Sequence, residues 1–218
     1  MMSRLTVWGR RDSFNVQKVL WLLDELALPY DWRPAGGRFG GLDDATFRAM
    51  NPHGRVPVVL DKGEAIWESH TILRYLADTY GSGLFRASNP LARSREERWM
   101  DWMLATLQPD FLTGVFWAYY RTPEHERQWG SILRKVTSCA DHIRLLDQQL
   151  ADHDFLCGDR LSLADIAVGV TCYRYYELDI DRPDAPNVER WYSVLQHRVS
   201  YRNNVMLPFT HMRGQLDY

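Results

Sequence analysis

Three short stretches and two arginines in the first third of the chain have types and spacings suited to chemistry. Ser13-Phe14-Asn15 sets a hydroxyl and a side-chain amide at the mouth of an apolar-periodic segment. If that segment is a helix, two donors and the positive end of its dipole share one spot, and an anion there is stabilised. A thiolate is such an anion. A free thiol has a pKa of about 8.5, and lowering it by one or two units, for roughly 1.4 to 2.8 kcal/mol, makes most of it nucleophilic at neutral pH. Ser13 reads equally well as a plain helix N-cap. Glu68-Ser69-His70 opens a second helical segment. Ser69 is the cap there, the free amides suit a carboxylate, and Glu68 beside them suits a ligand that also carries an ammonium, as an amino-acid head group does. A cap next to a solvated Glu is the plainer alternative, and His70 reads as ordinary helix surface.

Between these stretches, Asn51-Pro52-His53-Gly54-Arg55-Val56-Pro57 runs into the apolar Val58-Val59-Leu60. A proline at the start of a strand removes a ladder donor. A cis Val56-Pro57 bond turns the amide and carbonyl of Val56 outward, ready to pair with an extended peptide as a strand would. An edge-strand proline is the alternative. Arg38, in a glycine-flanked loop, and Arg55 are candidates to hold a terminal carboxylate through charge-assisted hydrogen bonds, or are solvated surface arginines.

The elements that position these residues follow from periodicity. Residues 5–8 are β-branched and aromatic, residues 9–12 polar, and Val16, Val19, Leu20, Leu23 and Leu26 recur at helical spacing until Leu28-Pro29. Residues 30–34 read as a second strand, Gly36-Gly37 and Gly40-Gly41 as a mobile loop, and residues 43–50 as a short helix. Residues 56–60 and 65–67 form a hairpin about a turn at 61–64, and a helix runs over 69–80 with Gly81 just past it. Strand, helix, strand, helix, strand, strand, helix is a thioredoxin-like α/β arrangement, with the first two strands parallel by a right-handed crossover. It occupies residues 1–81, and residues 82–90 read as a linker. From 91 to 218 the patterns are helical: two long helices over 91–118 and 123–150, an apolar helix opened by Ser162-Leu163-Ala164-Asp165, another near 187–197, and an irregular tail from 201. Ser-x-x-Asp is close to a capping box. The expected fold is therefore an α/β thioredoxin-like domain followed by an all-α helical bundle.

Composition excludes several classes. The 218 residues are 45% hydrophobic and 25% charged, enough for a packed core. The 26 Lys and Arg against 28 Asp and Glu leave a charge of -2, so there is no basic surplus for a row of phosphates and no nucleic-acid partner is expected. Apolar runs such as residues 19–23 fall far short of the roughly 20 residues of a membrane span, and the N-terminus lacks a signal-peptide core, so a cytoplasmic product is expected. Cys139, Cys157 and Cys172 are odd in number and widely spaced, which suggests neither a disulfide framework nor a metal site. No nucleophile elbow, GxGxxG or phosphate loop is present.

The motif Asn-Pro-x-Gly-x-Val-Pro-Val-Val-Leu, followed by Trp-Glu-Ser-His-Thr-Ile-Leu-Arg-Tyr-Leu, resembles the glutathione-binding segment of the cytosolic glutathione S-transferases. Ser162-Leu-Ala-Asp-Ile-Ala resembles that family's helical-domain capping motif, and Trp-Gly-Arg-x-x-Ser-x-Asn-Val-x-Lys-Val-Leu is most similar to bacterial theta-like members. The resemblance implies that Val56, next to Pro57, pairs with the cysteinyl backbone of glutathione. It implies that Glu68 and Ser69 hold the γ-glutamyl ammonium and carboxylate, and that Arg38 and Arg55 lie towards the glycine end. Ser13 would donate to the thiolate, with Asn15 the competing donor. The loop has no Tyr or Cys, unlike the Tyr and Cys classes, and the Ser-Ser-Cys-Ser run of the zeta class is missing. A small electrophile would lie against Trp117, Tyr120 and Arg121, with no metal required, in a homodimer. Conjugation, dehalogenation and peroxide reduction all use the same thiolate. The alternative is a non-catalytic glutathione-transferase-like protein that binds partners or regulates a stress response.

Overall fold

Leu5 and Val7 turn to the core while Thr6 and Trp8 are half-buried, the period of two that makes residues Leu5–Trp8 a strand, β1. The computed structural model describes residues 4–216. After β1 come α1 (Phe14–Glu25), β2 (Tyr30–Arg33), α2 (Ala45–Met50), β3 (Val58–Asp61), β4 (Glu64–Trp67) and α3 (Ser69–Tyr80). The sheet order is β2-β1-β3-β4, with β1 and β2 parallel and the other pairs antiparallel. This is the expected thioredoxin-like domain. One piece of the expected glycine loop is ordered as a 3-10 turn, Gly37–Phe39, pinned where Phe39 packs edge-on against Trp32 of β2.

The strand registers set the site. Trp8 lies opposite Val58, and Val58 opposite Trp67. The residues that leave β1, enter β3 and leave β4 therefore meet at one end of the sheet, and the Val56-Pro57 bond that enters β3 is cis.

The second half is helical. It comprises α4 (Pro90–Trp102), two π-wound stretches, Met103–Leu107 and Pro109–Arg121, then α5 (Trp129–Gln149), α6 (Leu163–Glu177), α7 (Pro186–His197) and α8 (Val199–Asn204). The first long helix starts where Asn89 caps it, accepting from the amides of Leu91 and Ala92. It continues to Arg121 but changes winding midway. Pro109 has no N–H for the bond back to Ala105, and the wider winding around it is of the kind found at functional sites. The second long helix begins at Trp129 rather than near Pro123, after a 3-10 turn at Glu124–Glu126.

One core cluster runs from β1, α1 and α3 into α4 to α7, and a small second one beneath α2 holds Ala35, Phe47 and Val58. The apolar helix α6 lies in the middle. Gly169 lets α6 approach α1, since a β-carbon there would stand 3.3 Å from the Trp21 ring and 2.7 Å from Leu195. The tail that reads as irregular is ordered in part: α8 opens it, and a 3-10 turn at Thr210–Met212 follows. Tyr201, Val205, Phe209 and Met212 are buried anchors spaced by three or four residues, and the polar residues between them hide the pattern. No helix among the described residues is long and apolar enough to cross a membrane.

Candidate functional site

The site begins where β1 passes into α1. Gly9 is the exit, and a β-carbon there would sit 2.5 Å from Val16 Cγ2 and 3.3 Å from Val56 Cβ. Only glycine lets the chain pass between α1 and the strand entry. Ser13 is the N-cap residue of α1, extended at φ -74° and ψ 125°, but its side chain makes no cap hydrogen bond. The cap position is as expected, and the hydroxyl is not spent on the helix. Asn15 follows within the first turn, half-buried.

At the far side of the same sheet end, Glu68 turns the chain from β4 into α3 with a left-handed φ of 68°. A non-glycine residue held there costs on the order of 1 to 3 kcal/mol, and such positions cluster at functional sites. Glu68 occupies the N-cap position and Ser69 is the first helical residue, a shift of one from the expected cap. The carbonyl of Glu68 accepts from Ile72, while its exposed carboxylate makes no cap bond and Ser69 is buried. Val56 is half-buried, and Pro57 buried, beside this turn. Arg55 is exposed, its carbonyl held by Asn51 Nδ2 at 2.8 Å. Arg38 is exposed on the 3-10 turn with its guanidinium 4.9 Å from the Phe39 ring centre.

Beneath Asn15 lies a buried polar cluster that the sequence reading misses. Lys18 is fully buried, and its Nζ stands 3.0 Å from Asn15 Oδ1, 3.1 Å from His70 Nε2 and 2.9 Å from Gln108 Oε1. Burial pulls the Lys18 pKa down to about 7, with the charge of Glu68 opposing. His70 is buried too, not helix surface, because it faces α1 across the packed α1–α3 contact. Burial first, then the charges of Lys18 and Arg74, drive its pKa down to about 2, so it is neutral. The available clue is a lysine inside the unbroken buried run Val16 to Leu23.

The opposite wall comes from the π-wound stretch. Ser13 and Asn15 face Leu112, Phe116, Trp117 and Arg121 across a cleft of about 100 Å³ that Phe14, Arg10, Asp12, Arg174 and Met212 complete. Trp117 and Arg121 thus line the same cleft as Ser13 and Asn15. Arg121 is buried, its guanidinium 3.8 Å from the Trp117 ring centre and its Nε donating to the Gln215 carbonyl at 2.9 Å. Tyr120 is not in the wall. It stacks on Phe116 and packs edge-on against Phe209, because the tail occupies its other side. Arg174 of α6 is a second missed residue: buried, it donates to the Asp12 carbonyl at 2.5 Å and stands 4.7 Å from the Phe116 ring centre. A single basic residue in a largely apolar helix is its clue. The cysteines lie elsewhere. Burial pushes Cys139 and Cys157 up to about 12, and Cys172 higher, so none is a nucleophile at neutral pH. The described residues contain no group of three or more His, Cys, Asp or Glu placed to hold a metal.

A thioredoxin-like domain whose open sheet end faces an all-helical domain across a donor-lined cleft defines a two-domain class of protein with its binding cleft between the domains. Comparison with known proteins agrees. The glutathione S-transferase N-terminal domain family matches residues 8–84, and the C-terminal domain family matches residues 124–193. Glutathione S-transferase GstB of Escherichia coli strain K12 is 39% identical over 206 residues, covering 94% of this chain and 99% of its own. A theta-class glutathione S-transferase structure from Xanthomonas axonopodis pv. citri, with glutathione bound, superposes with a TM-score of 0.89 at 38% identity, covering 95% of this chain and 99% of that one. A glutathione S-transferase structure from Pseudomonas fluorescens gives a TM-score of 0.80 at 27% identity, covering 91% and 97%. The chain belongs to the glutathione S-transferase family, on its theta-like side, and is a glutathione transferase.

Proposed function

We propose that this transferase binds glutathione along the open end of the sheet and lowers its thiol pKa at Ser13 and Asn15 for attack on a small electrophile. In this reading residues 1–81 bind glutathione, residues 82–90 join the domains, and residues 91–218 hold the second substrate. Val56 pairs with the cysteinyl backbone, Pro57 holds the strand entry, and Glu68 and Ser69 take the γ-glutamyl ammonium and carboxylate. Arg38 and Arg55 flank the glycine end. Trp117 and Arg121 face the electrophile, with Tyr120 supporting them through Phe116. The thiolate attacks the electrophilic carbon and the displaced group leaves with the bonding electrons. Halide displacement and peroxide reduction draw on the same thiolate.

The observation that carries this reading is the Ser13 side chain: at a helix N-terminus, lining the cleft and unbonded to the helix it caps. A hydroxyl there is an available donor for an anion, with the dipole adding to it. The protein is read as a cytoplasmic homodimer, for which exposed Leu84, Leu91 and Leu104 offer apolar surface. Calorimetric titration with glutathione, paired with an ultraviolet difference spectrum of the thiolate across pH, tests the reading. Binding with a thiol pKa at least one unit below the free value of about 8.5 is expected. No binding at millimolar glutathione would end it and favour a partner-binding role. A panel of aryl halides, enones and organic hydroperoxides then assigns the reaction.

A further inference from the structure

Lys18 is an expensive residue for the inside of a helix packed on α3, α6 and α8, because a desolvated amine needs every hydrogen satisfied and an apolar side chain of similar length would fill the space. Its three partners come from three places: Asn15 in the first turn of α1, His70 in α3, and Gln108 between the two π-wound stretches of the helical domain. Of the four residues, Asn15 is the one that lines the cleft. Asn15 and Lys18 are three apart on α1, so they lie on one face with the lysine leaning back towards the helix start. The tautomer of His70 decides whether Nζ carries two hydrogens or three, and in both cases the amide oxygens of Asn15 and Gln108 take two of them. An asparagine whose oxygen is held inward presents its NH₂ the other way, into the cleft.

We infer that Lys18 is a positioning residue of the thiol site: by holding Asn15 Oδ1 from below, it fixes the Asn15 amide as a hydrogen-bond donor towards the bound sulfur. The inference deepens the proposed function and rests on it. It separates two donors of different kinds, since the hydroxyl of Ser13 rotates freely and the amide of Asn15 does not. Gln108 makes the arrangement depend on both domains, because one of the groups that orient the lysine belongs to the helical part.

The test compares glutathione with S-methylglutathione, which keeps every other group but has no thiol, on the full chain. Lys18→Met removes the donor. The thiol pKa of bound glutathione is expected to rise by about one unit, a tenfold loss of thiolate at pH below that pKa, while affinity for S-methylglutathione stays within about twofold. In an Asn15→Ala background, Lys18→Met should add no further shift, the non-additivity of two groups acting as one. An unchanged thiol pKa, an additive shift, or an equal loss of S-methylglutathione binding would each overturn the inference. If Lys18→Met does not fold, Gln108→Leu carries the test: it adds no charge, leaves Asn15 and Lys18 in place, and removes the helical-domain oxygen that orients the lysine. It should raise the thiol pKa at retained S-methylglutathione affinity, and an unchanged pKa overturns the idea. The wild-type protein separates the two readings. If it binds glutathione without lowering the thiol pKa, the proposed function fails and takes this inference with it, whereas a lowered pKa that no variant moves sinks the inference alone.

Discussion

Glu68 holds a backbone conformation that glycine adopts freely and that a residue with a side chain adopts at a cost, yet its carboxylate is exposed and makes no cap bond with α3. A structural role alone would favour glycine at that turn. The carboxylate explains the choice if it meets a ligand ammonium, since a hydrogen bond to a charged group contributes about 1.5 to 3 kcal/mol. Glu68→Gln keeps the shape and the turn and removes the charge. It should weaken glutathione binding by about tenfold, roughly 1.4 kcal/mol. The same substitution should leave unchanged the affinity for a glutathione analogue lacking the γ-glutamyl amino group. Calorimetry with both ligands decides the matter, and an equal loss for the two would mean that Glu68 shapes the turn instead of reading the ammonium.

At the scale of elements, what the sequence made legible were the parts governed by local rules. β-branched and aromatic composition marked β1, a short apolar run marked β3, helical spacing marked α1 and α3, and Ser162 with Asp165 marked the start of α6. The missed parts depend on contacts between distant segments. His70 and Lys18 find each other across 52 positions, Arg174 reaches Asp12 across 162, and the tail is ordered by anchors against α6 and the π-wound wall. Ser69 was legible as part of the α3 entry but displaced by one, because a left-handed residue before a helix leaves no mark in composition. Asp165 shows how much a local rule can carry. Fully buried, its carboxylate accepts from the Leu156 amide at 2.8 Å, the Ser162 amide at 2.9 Å, the Ser162 hydroxyl at 2.7 Å and Trp191 Nε1 at 3.1 Å. The capping device therefore joins the loop before α6 to α7 as well. Asp165→Ala strands these buried donors, each worth about 1 to 3 kcal/mol, and should cost about 3 kcal/mol or more in urea unfolding. A loss under about 1 kcal/mol would show that the box is dispensable.

Over the whole molecule, α1 belongs to the sheet domain by sequence and to both domains by contact. Its N-terminal approach is held by Arg174 on the Asp12 carbonyl and by His211 Nε2, 2.9 Å from Asp12 Oδ2. Its C-terminal end is held by Glu25 and Asp24: Arg198 Nε and Nη2 donate to the two Glu25 oxygens at 2.7 and 2.5 Å, Trp21 Nε1 and Ser200 Oγ donate to Oε1, and Asn204 Nδ2 donates to Asp24 at 2.6 Å. The helix that carries Ser13 and Asn15 is thus clamped at both ends by the helical domain. Burial of Glu25 disfavours its charge, but the hydrogen bonds from Arg198, Ser200 and Trp21 outweigh it and hold the pKa below the ordinary 4.5. A carboxylate whose pKa is lower folded than unfolded contributes stability that is fully present above about pH 4.5 and is lost as pH falls through the folded value. Glu25→Gln should therefore be about 1 kcal/mol less stable than wild type at pH 7, the scale of a hydrogen-bonded charge pair whose Arg198 side is partly exposed and screened by solvent. The gap should narrow as the pH drops below 4.5, where the wild-type carboxylate takes up a proton and becomes as neutral as the amide. Urea unfolding midpoints of the two proteins across that range give the answer, and a gap that stays constant with pH would mean that the clamp works by shape and packing, with no share for the Glu25 charge.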